Sequence, residues 1–241
     1  MDITSLTAPL TYEKRIVCFF DVLGWKNHIE DAGSDPKKIG KLAFLPKILA
    51  SDLVKATSQT SSGRITSFSD CAVVSLPFDA DFIPQLLVGL SNIFIGAAIN
   101  GFFLRAGVTV GDIYHDDKMV FGPALNKAYT LESSGKYPRI ILDGDEESLK
   151  RTEMDIVFEE DVLFADPFTL SFFRDNETLN NPQKIFMGGP AVNGLAIFLK
   201  IETIIAECME KAKVGRDKEK MTWLYRRVRQ QSKSIFSPQF K

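Results

Sequence analysis

The chain has 241 residues, of which 45% are hydrophobic and 25% are charged, and its formal net charge is −2 at pH 7. This length suits one domain of moderate size, and the near-neutral charge argues against a dedicated nucleic-acid-binding protein. The charge is unevenly distributed, because residues 211–241 carry +8 and residues 1–210 carry −10. We therefore divide the chain into a main part over residues 1–210 and a basic helical C-terminal extension of the same domain over residues 211–241.

The cysteine and histidine content argues against a disulfide framework and against a zinc site. The three cysteines are far apart, no CxxC motif is present, and the chain has two histidines. No basic-then-apolar signal peptide opens the sequence, and the longest apolar stretch, residues 82–104, is interrupted by polar side chains. These features predict a cytoplasmic protein without a membrane span.

Hydrophobic periodicity predicts strands and helices in mixed order, with a hairpin in the first half of the chain. In chain order the predicted elements are a strand at 15–21, helices from 25 and over 37–55, paired strands at 64–68 and 72–76, a helix from about 82 to 100, a strand at 102–114, a helix from 123, a strand at 139–142, a short helix at 144–151, one or two strands within 156–175, and helices at 191–212 and 218–233. This mixture predicts an α+β fold with helices packed on a sheet.

Two aspartates stand where a carboxylate needs a partner. Asp21 ends a strand that should be buried, where an unpaired charge costs several kcal/mol; a metal ion, a helix N-terminus or an arginine could stabilise it. Asp70 occupies the predicted hairpin turn, where aspartate is also common for conformational reasons. Two carboxylates that converge from adjacent strands repel unless a cation lies between them, so we expect these two on the order of 4–6 Å apart.

Four motifs in a fixed order resemble the catalytic domain of class III adenylyl and guanylyl cyclases. They are Phe19 and Asp21 in the first strand, Asp70 after Ser69 in the hairpin, the strand with Arg105, Gly107 and Gly111, and the helix start with Gly122 and Asn126. The resemblance spans residues 14–143. It implies a ferredoxin-like cyclase homology domain, with a mixed or antiparallel sheet and flanking helices.

The resemblance also implies a reaction and an assembly. Asp21, Val22 and Asp70 would hold two magnesium or manganese ions, and Asp21, Asp70 and Asn126 would be the catalytic residues. The 3′-hydroxyl of a nucleoside triphosphate would attack the α-phosphate, releasing pyrophosphate and a 3′,5′-cyclic nucleotide. Such cyclases act as head-to-tail homodimers, with the aspartates from one chain and the asparagine from the other; the resemblance implies neither membrane nor nucleic-acid partners.

Several positions would contact the substrate, and some depart from the purine-specific pattern. The implied contacts are Phe20, Val22, Gly24, Thr66, Ser67, Met119, Lys127, Thr130 and Arg139. Thr66 and Met119 replace the polar residues with which purine cyclases recognise the base, and Thr130 replaces the transition-state arginine. Arg139 could supply the missing positive charge, since arginine matches phosphate geometry; the alternative is an exposed arginine at a strand end.

Residues 120–142 resemble the pyrimidine cyclases of bacterial antiphage defence. This implies conversion of UTP, with CTP as second choice, to the cyclic monophosphate that serves as second messenger. The alternative is a catalytically inactive cyclase-like domain that acts as a nucleotide sensor or interaction module. The arginine missing at Thr130 favours that alternative, whereas the retained Asp21 and Asp70 favour the enzyme.

Four further side chains have open or structural interpretations. We predict that Arg105 is a structural partner of a carboxylate, and that His115 is exposed in a polar turn. Lys127 and Glu132 share a helix with Asn126, and both fit a solvated helix face as well as they fit nucleotide contacts.

Overall fold

The computed structural model describes residues 10–43, 63–144, 156–159, 161–168, 194–212 and 215–235. Its elements in chain order are β1 (Glu13–Val22), α1 (Trp25–Ala32), α2 (residues 36–43), β2 (Arg64–Phe68), β3 (Cys71–Pro77), α3 (Ile83–Ile99), β4 (Leu104–His115), β5 (Val120–Phe121), α4 (Pro123–Ser134), β6 (Ile140–Leu142), β7 (Ile156–Glu159), β8 (Val162–Ala165), α5 (Gly194–Lys211) and α6 (Arg216–Ile235). The predicted helix at 37–55 is confirmed up to residue 43, and the predicted short helix at 144–151 lies outside the described residues.

The strands form one mixed sheet in the order β2-β3-β1-β4-β6-β8-β7, with the short β5 paired to β4. β1 lies antiparallel between β3 and β4, and β6 runs parallel to β4. The first four strands, with helices between β1 and β2 and between β3 and β4, have the order of a split βαβ ferredoxin-like unit. The predicted α+β class, with a mixed sheet and flanking helices, is thereby confirmed.

The two faces of the sheet differ in what covers them. Alternate residues of a strand point to opposite faces, so Ile16, Cys18 and Phe20 of β1 pack with α3 in the largest apolar core. Val17 and Phe19 point the other way and pack with α4 in a much smaller core. We call these the α3 face and the α4 face. By the same alternation, Asp21 lies on the α4 face.

Helix α4 lies very close to strand β4 because two glycines leave room for it. A Cβ added at Gly107 would lie 2.1 Å from the main-chain oxygen of Ala128, and one at Gly111 would lie 3.2 Å from the Cβ of Ala124. The Arg-x-Gly-x-x-x-Gly pattern therefore serves helix packing in this chain. That packing fixes α4 over the half of the sheet next to Asp21.

The C-terminal helices pack on the far side of α3, where they form another apolar core. Met221, Leu224 and Val228 of α6 are buried there, so the basic segment after residue 210 contributes an apolar face to the core. Both predicted C-terminal helices are confirmed in the described residues. None of the described helices has the length and apolarity that crossing a bilayer requires.

Candidate active site

Asp21 and Asp70 converge at one end of the α4 face. Asp21 is paired with Cys71 of β3 on one side and with Arg105 of β4 on the other. Asp70 follows Ser69, whose φ of 55° makes the tight turn between β2 and β3. One carboxylate oxygen from each aspartate and the Sγ of Cys71 lie within 4.8 Å of one another. The predicted proximity of the two carboxylates is confirmed.

Arg105 is the guanidinium that stabilises Asp21. Its Nη2 lies 2.5 Å and its Nε 3.2 Å from Asp21 Oδ2, and its Nη1 donates to the Gly135 carbonyl at 3.0 Å. Nη2 also lies 2.7 Å from Oε1 of Glu132. The prediction that Arg105 is a structural partner of a carboxylate is confirmed. One guanidinium therefore contacts two carboxylates of the cluster, those of Asp21 and Glu132.

Glu132 belongs to this cluster and is not on the solvated face of α4. Its side chain is 3% exposed and points toward β4, one turn after Ala128. Burial raises the pKa of the Glu132 carboxyl, Asp21 and Asp70 raise it further, and Arg105 opposes them. Its Oε1 is close to Arg105 but lies outside hydrogen-bond alignment, so their contact is ionic. Ala124, Ala128 and Glu132 recur every four residues, and this spacing could have revealed the buried position.

Cys71 places its thiol beside the two carboxylates. Burial raises the pKa of its thiol to about 12, and the charges of Asp70 and Asp21 add to that effect. The protonated Sγ lies 3.7 Å from Asp70 Oδ1, to which it donates. The two aspartates offer carboxylate oxygens, which suit hard cations such as Mg²⁺ and Mn²⁺. These residues fit the metal that the sequence predicts.

Four predicted substrate contacts lie within three residues of Asp21 or Asp70 in the sequence. Phe20 and Val22 have side chains in the core of the α3 face, so only their main-chain atoms are available to a metal or substrate. Gly24 has a φ of 71° and starts α1 beside them. Ser67 is exposed next to the hairpin tip.

The two positions expected to recognise the base lie in different elements, and Thr66 pairs with Val73, in the same row of the sheet as Phe19. Thr66 of β2 is half-buried, and its Oγ1 lies 3.0 Å from Nε2 of His115. Met119 is 46% exposed and precedes Val120, which pairs with His115. His115 thus contacts Thr66 and pairs with the residue that follows Met119.

His115 itself was predicted to be exposed, and that prediction is wrong. The side chain is 1% exposed, because β4 continues to residue 115 and its alternation turns this residue inward, like Ile113. Its Nδ1 lies 2.8 Å from Ser75 Oγ. Burial, followed by the charges of Arg15 and Arg64, lowers the pKa of His115 to about 4. The imidazole is therefore neutral at physiological pH.

Asn126, Lys127 and Thr130 lie on the exposed side of α4. Thr130 Oγ1 donates to the main-chain oxygen of Asn126 at 2.8 Å, and Lys127 Nζ lies 2.6 Å from Oδ2 of Asp143. Since Ala128 packs on the sheet, the helical spacing turns Asn126 and Thr130 away from it. Asn126 therefore faces away from Asp21 of its own chain.

Arg139 was considered for the missing positive charge, and the structure removes it from the surface. It is 1% exposed. The guanidinium carbon lies 4.6 Å from the ring centroid of Phe164, 5.5 Å from that of Tyr137 and 6.0 Å from that of Trp223. Cation–π contacts of this kind stabilise a buried arginine. Arg139 presents no surface to a triphosphate, and the alternative of an exposed arginine at a strand end is also wrong.

No family model matches the sequence, and no curated protein matches it. Three solved structures illustrate the similar folds. A bacterial light-regulated adenylyl cyclase is 14% identical, with 66% of this chain covered and a TM-score of 0.43. The adenylyl cyclase CyaB from P. aeruginosa is 15% identical, with 65% of this chain and 94% of that chain covered and a TM-score of 0.43. The guanylyl cyclase domain of the RhoGC fusion protein from the aquatic fungus Blastocladiella emersonii is 15% identical, with 65% and 95% covered and a TM-score of 0.48.

This chain spans 52% of the length of the light-regulated adenylyl cyclase. Identities of 14–15% and TM-scores below 0.5 say nothing about the chemistry of this chain, which has to be judged from its own residues.

Proposed function

We propose that this chain is a metal-dependent nucleotidyl cyclase that converts a pyrimidine nucleoside triphosphate to its 3′,5′-cyclic monophosphate and pyrophosphate. UTP is the preferred substrate and CTP the second choice. The observation that carries the proposal is the convergence of Asp21 and Asp70 from neighbouring strands to within 4.8 Å. Two carboxylates this close repel each other, a bound cation between them relieves that repulsion, and Arg105 directly contacts one of the two.

In the proposed reaction, Asp21 and Asp70 hold magnesium or manganese, together with the main chain of Val22. When bound, such ions neutralise the triphosphate and favour deprotonation of the 3′-hydroxyl. Arg105 keeps the Asp21 carboxylate in one orientation through two nitrogen contacts, and Glu132 holds Arg105 from the α4 side. A bond forms between the 3′-oxygen and the α-phosphorus, the bond to pyrophosphate breaks, and the hydroxyl proton is released.

The exposed side of α4 supports a homodimer with shared sites. Asn126 faces away from the sheet of its own chain, so it can act at an Asp21–Asp70 cluster only if that cluster belongs to a second copy. Two-fold symmetry would then create two equivalent sites. Lys127 follows Asn126 on the same exposed side, and it would contribute the positive charge that Thr130 cannot by exchanging its contact with Asp143 for one with the triphosphate.

The pyrimidine assignment is supported by Thr66 and Met119. Neither side chain can make the contacts that lysine and aspartate or cysteine make with a purine. The proposed role in antiphage defence depends on the resemblance of residues 120–142. In phage-infected cells the wild-type chain should therefore accumulate a cyclic pyrimidine nucleotide, and an Asp70→Asn chain should not.

The direct test is incubation of the purified protein with each of the four nucleoside triphosphates and manganese, with product identification by mass spectrometry. We expect cyclic UMP as the main product. Asp21→Asn and Asp70→Asn should each lower turnover by on the order of 100-fold or more, because each removes a charge that positions the metals. Asp112→Asn, at an exposed position of β4, is the matched control and should keep full turnover.

Three results would contradict the proposal in different ways. Dominant cyclic AMP or cyclic GMP would refute the pyrimidine assignment. Full turnover in Asp70→Asn would show that Asp70 is no metal ligand. A wild-type protein that binds UTP without forming any cyclic product would instead support the inactive nucleotide sensor.

A further inference from the structure

Residues 135–139 connect α4 to β6, and β4 contacts both ends of this connection, which we call the α4–β6 segment. Arg105 Nη1 donates to the Gly135 carbonyl at 3.0 Å. The main-chain nitrogen of the next residue of β4 donates to the Arg139 carbonyl at 3.0 Å. The segment therefore provides one of the contacts that hold the Arg105 guanidinium, and this guanidinium also contacts Asp21.

The direction of the Gly135 carbonyl depends on the residues that follow it. At the end of α4 the Gly135 nitrogen donates to the Glu132 carbonyl at 2.8 Å, which places the glycine itself. Its carbonyl belongs to the planar peptide unit that Gly135 shares with Lys136. A change in the position of Lys136 or Tyr137 would therefore turn this carbonyl away from Arg105.

Helix α6 holds those following residues. The rings of Tyr137 and Trp223 are stacked, with centroids 4.7 Å apart and 6° between their planes. Lys136 Nζ pairs with the carboxylate of Glu219, and Tyr137 Oη lies 3.5 Å from Oε1 of the same carboxylate. Tyr137 is 6% exposed, so the stack belongs to the packed interior. Because Glu219 and Trp223 are one helical turn apart, a single side of α6 contacts the segment.

We propose that Trp223 is a positioning residue for the metal site. Its stack on Tyr137 fixes the Gly135 carbonyl, and this carbonyl keeps the Arg105 guanidinium against Asp21. A carboxylate ligand binds a metal more tightly when its own hydrogen-bond partners are fixed. The inference depends on the proposed function, because it takes Asp21 as a ligand of a divalent cation. It gives the basic C-terminal extension a role in supporting the site from behind.

The test measures Mn²⁺ binding in the absence of nucleotide, from the electron paramagnetic resonance signal of the free ion. Loss of an outer contact to a ligand residue typically weakens metal binding about 10- to 100-fold, and Trp223 acts further out than such a contact. We therefore expect Trp223→Leu to weaken Mn²⁺ binding about three- to tenfold. The substitution changes no charge, so only the orientation of the Arg105–Asp21 pair is altered.

Two further variants of α6 serve as controls. Trp223→Phe keeps a ring that can stack on Tyr137, and its dissociation constant for Mn²⁺ should stay within about twofold of the wild-type value. Met221→Ala removes a buried side chain that packs in the core formed with α3 and α5, and it leaves the stack intact. This matched control loses packing of α6 without touching the α4–β6 segment, so it should bind Mn²⁺ like the wild type.

A second background separates positioning from a general loss of structure. Arg105→Met removes the guanidinium through which Trp223 is proposed to act. In that background Trp223→Leu should change the dissociation constant for Mn²⁺ by less than about twofold. A purely structural effect of Trp223 would be equally large in both backgrounds.

The reverse effect can be measured without any change in α6, because coupling between two sites is reciprocal. The chain has two tryptophans, so Trp25→Phe leaves Trp223 as the single fluorophore of this type. Saturating Mg²⁺ should change the emission of Trp223 and lower its quenching by acrylamide. It should do neither in a protein that carries Asp21→Asn as well.

The outcomes distinguish this inference from the proposed function. The positioning role is wrong if Trp223→Leu leaves Mn²⁺ binding unchanged, tightens it or weakens it equally in both backgrounds, even when the protein makes cyclic nucleotides. A Trp223 emission that does not respond to Mg²⁺ would also overturn it. If the predicted pattern of binding appears but UTP gives no cyclic product, the cyclase proposal fails and the positioning role stands. Wild-type protein that binds Mn²⁺ no more tightly than Asp21→Asn would refute the metal site and this inference together.

Discussion

The two faces of one sheet are built on different principles. The α3 face is covered by a continuous apolar core that includes Phe20, Leu90 and Phe94. The α4 face has a small apolar centre and two polar groups, the Asp21–Arg105–Glu132 cluster and the hydrogen-bonded Arg15, Ser75 and His115. Buried polar groups cost free energy unless they are fully paired, so stability alone gives no reason to place them here. The α3 face therefore supplies most of the apolar packing, and the α4 face is the one on which we propose that the chemistry takes place.

The largest stability effect should come from the α3 face. Phe94→Ala removes a side chain that is 2% exposed in the main core, and we expect a loss of about 3–5 kcal/mol in the free energy of unfolding. Chemical denaturation measures this loss. If the two faces are independent, the Phe94→Ala protein that remains folded keeps the wild-type ratio of UTP to CTP turnover. A changed ratio would show that the two faces are not independent.

A smaller effect should appear where α4 meets β4. Gly107→Ala would place a methyl group 2.1 Å from the main-chain oxygen of Ala128, so the helix must shift, and we expect a loss of about 1–3 kcal/mol together with lower turnover. Gly111→Ala is the matched control, because its methyl group would meet only the Ala124 Cβ at 3.2 Å. Equal losses in thermal unfolding for the two variants would contradict the close packing at Gly107.

The smallest of these effects is a pH dependence of stability that comes from His115. Its pKa is about 4 in the folded protein and 6.5 as the ordinary value, so protonation favours the unfolded chain. The contribution of the neutral imidazole to the free energy of unfolding is complete above pH 6.5 and is lost as the pH falls toward 4. Between pH 7.5 and 5.5 the loss should be about 1 kcal/mol. Urea unfolding of wild type and His115→Gln at both pH values measures it, and only the wild type should show this loss; the same loss in both proteins would assign it to other groups.

Much of the first half of the fold follows from local patterns. The apolar run at 15–21, the turn around Ser69 and the helix start at Gly122 each specify an element without distant contacts. Once β1, β3 and β4 pair, Asp21 must lie between Cys71 and Arg105, so the carboxylate cluster could be predicted in outline.

The residues that sequence patterns misplaced depend on distant contacts. His115 opens a polar run that resembles a turn, but β4 extends one residue further and buries it against Ser75, forty residues away. Arg139 stands at a strand start, and its aromatic surroundings include Trp223 from α6, which no local pattern brings there. Ser75 for His115 and Trp223 for Arg139 come from elements far away in the chain.

The central claim is that the Asp21–Asp70 cluster is a catalytic site completed by the α4 helix of a second copy. Subunit complementation tests this claim most directly. Asp21→Asn and Asn126→Ala homodimers should each be inactive or nearly so. After subunit exchange, a heterodimer has one site with both lesions and one with none, so activity should return to about half of the wild-type value per heterodimer. Tagged pull-down confirms that exchange has occurred. Heterodimers that form and stay as inactive as the Asp21→Asn parent would contradict the shared site.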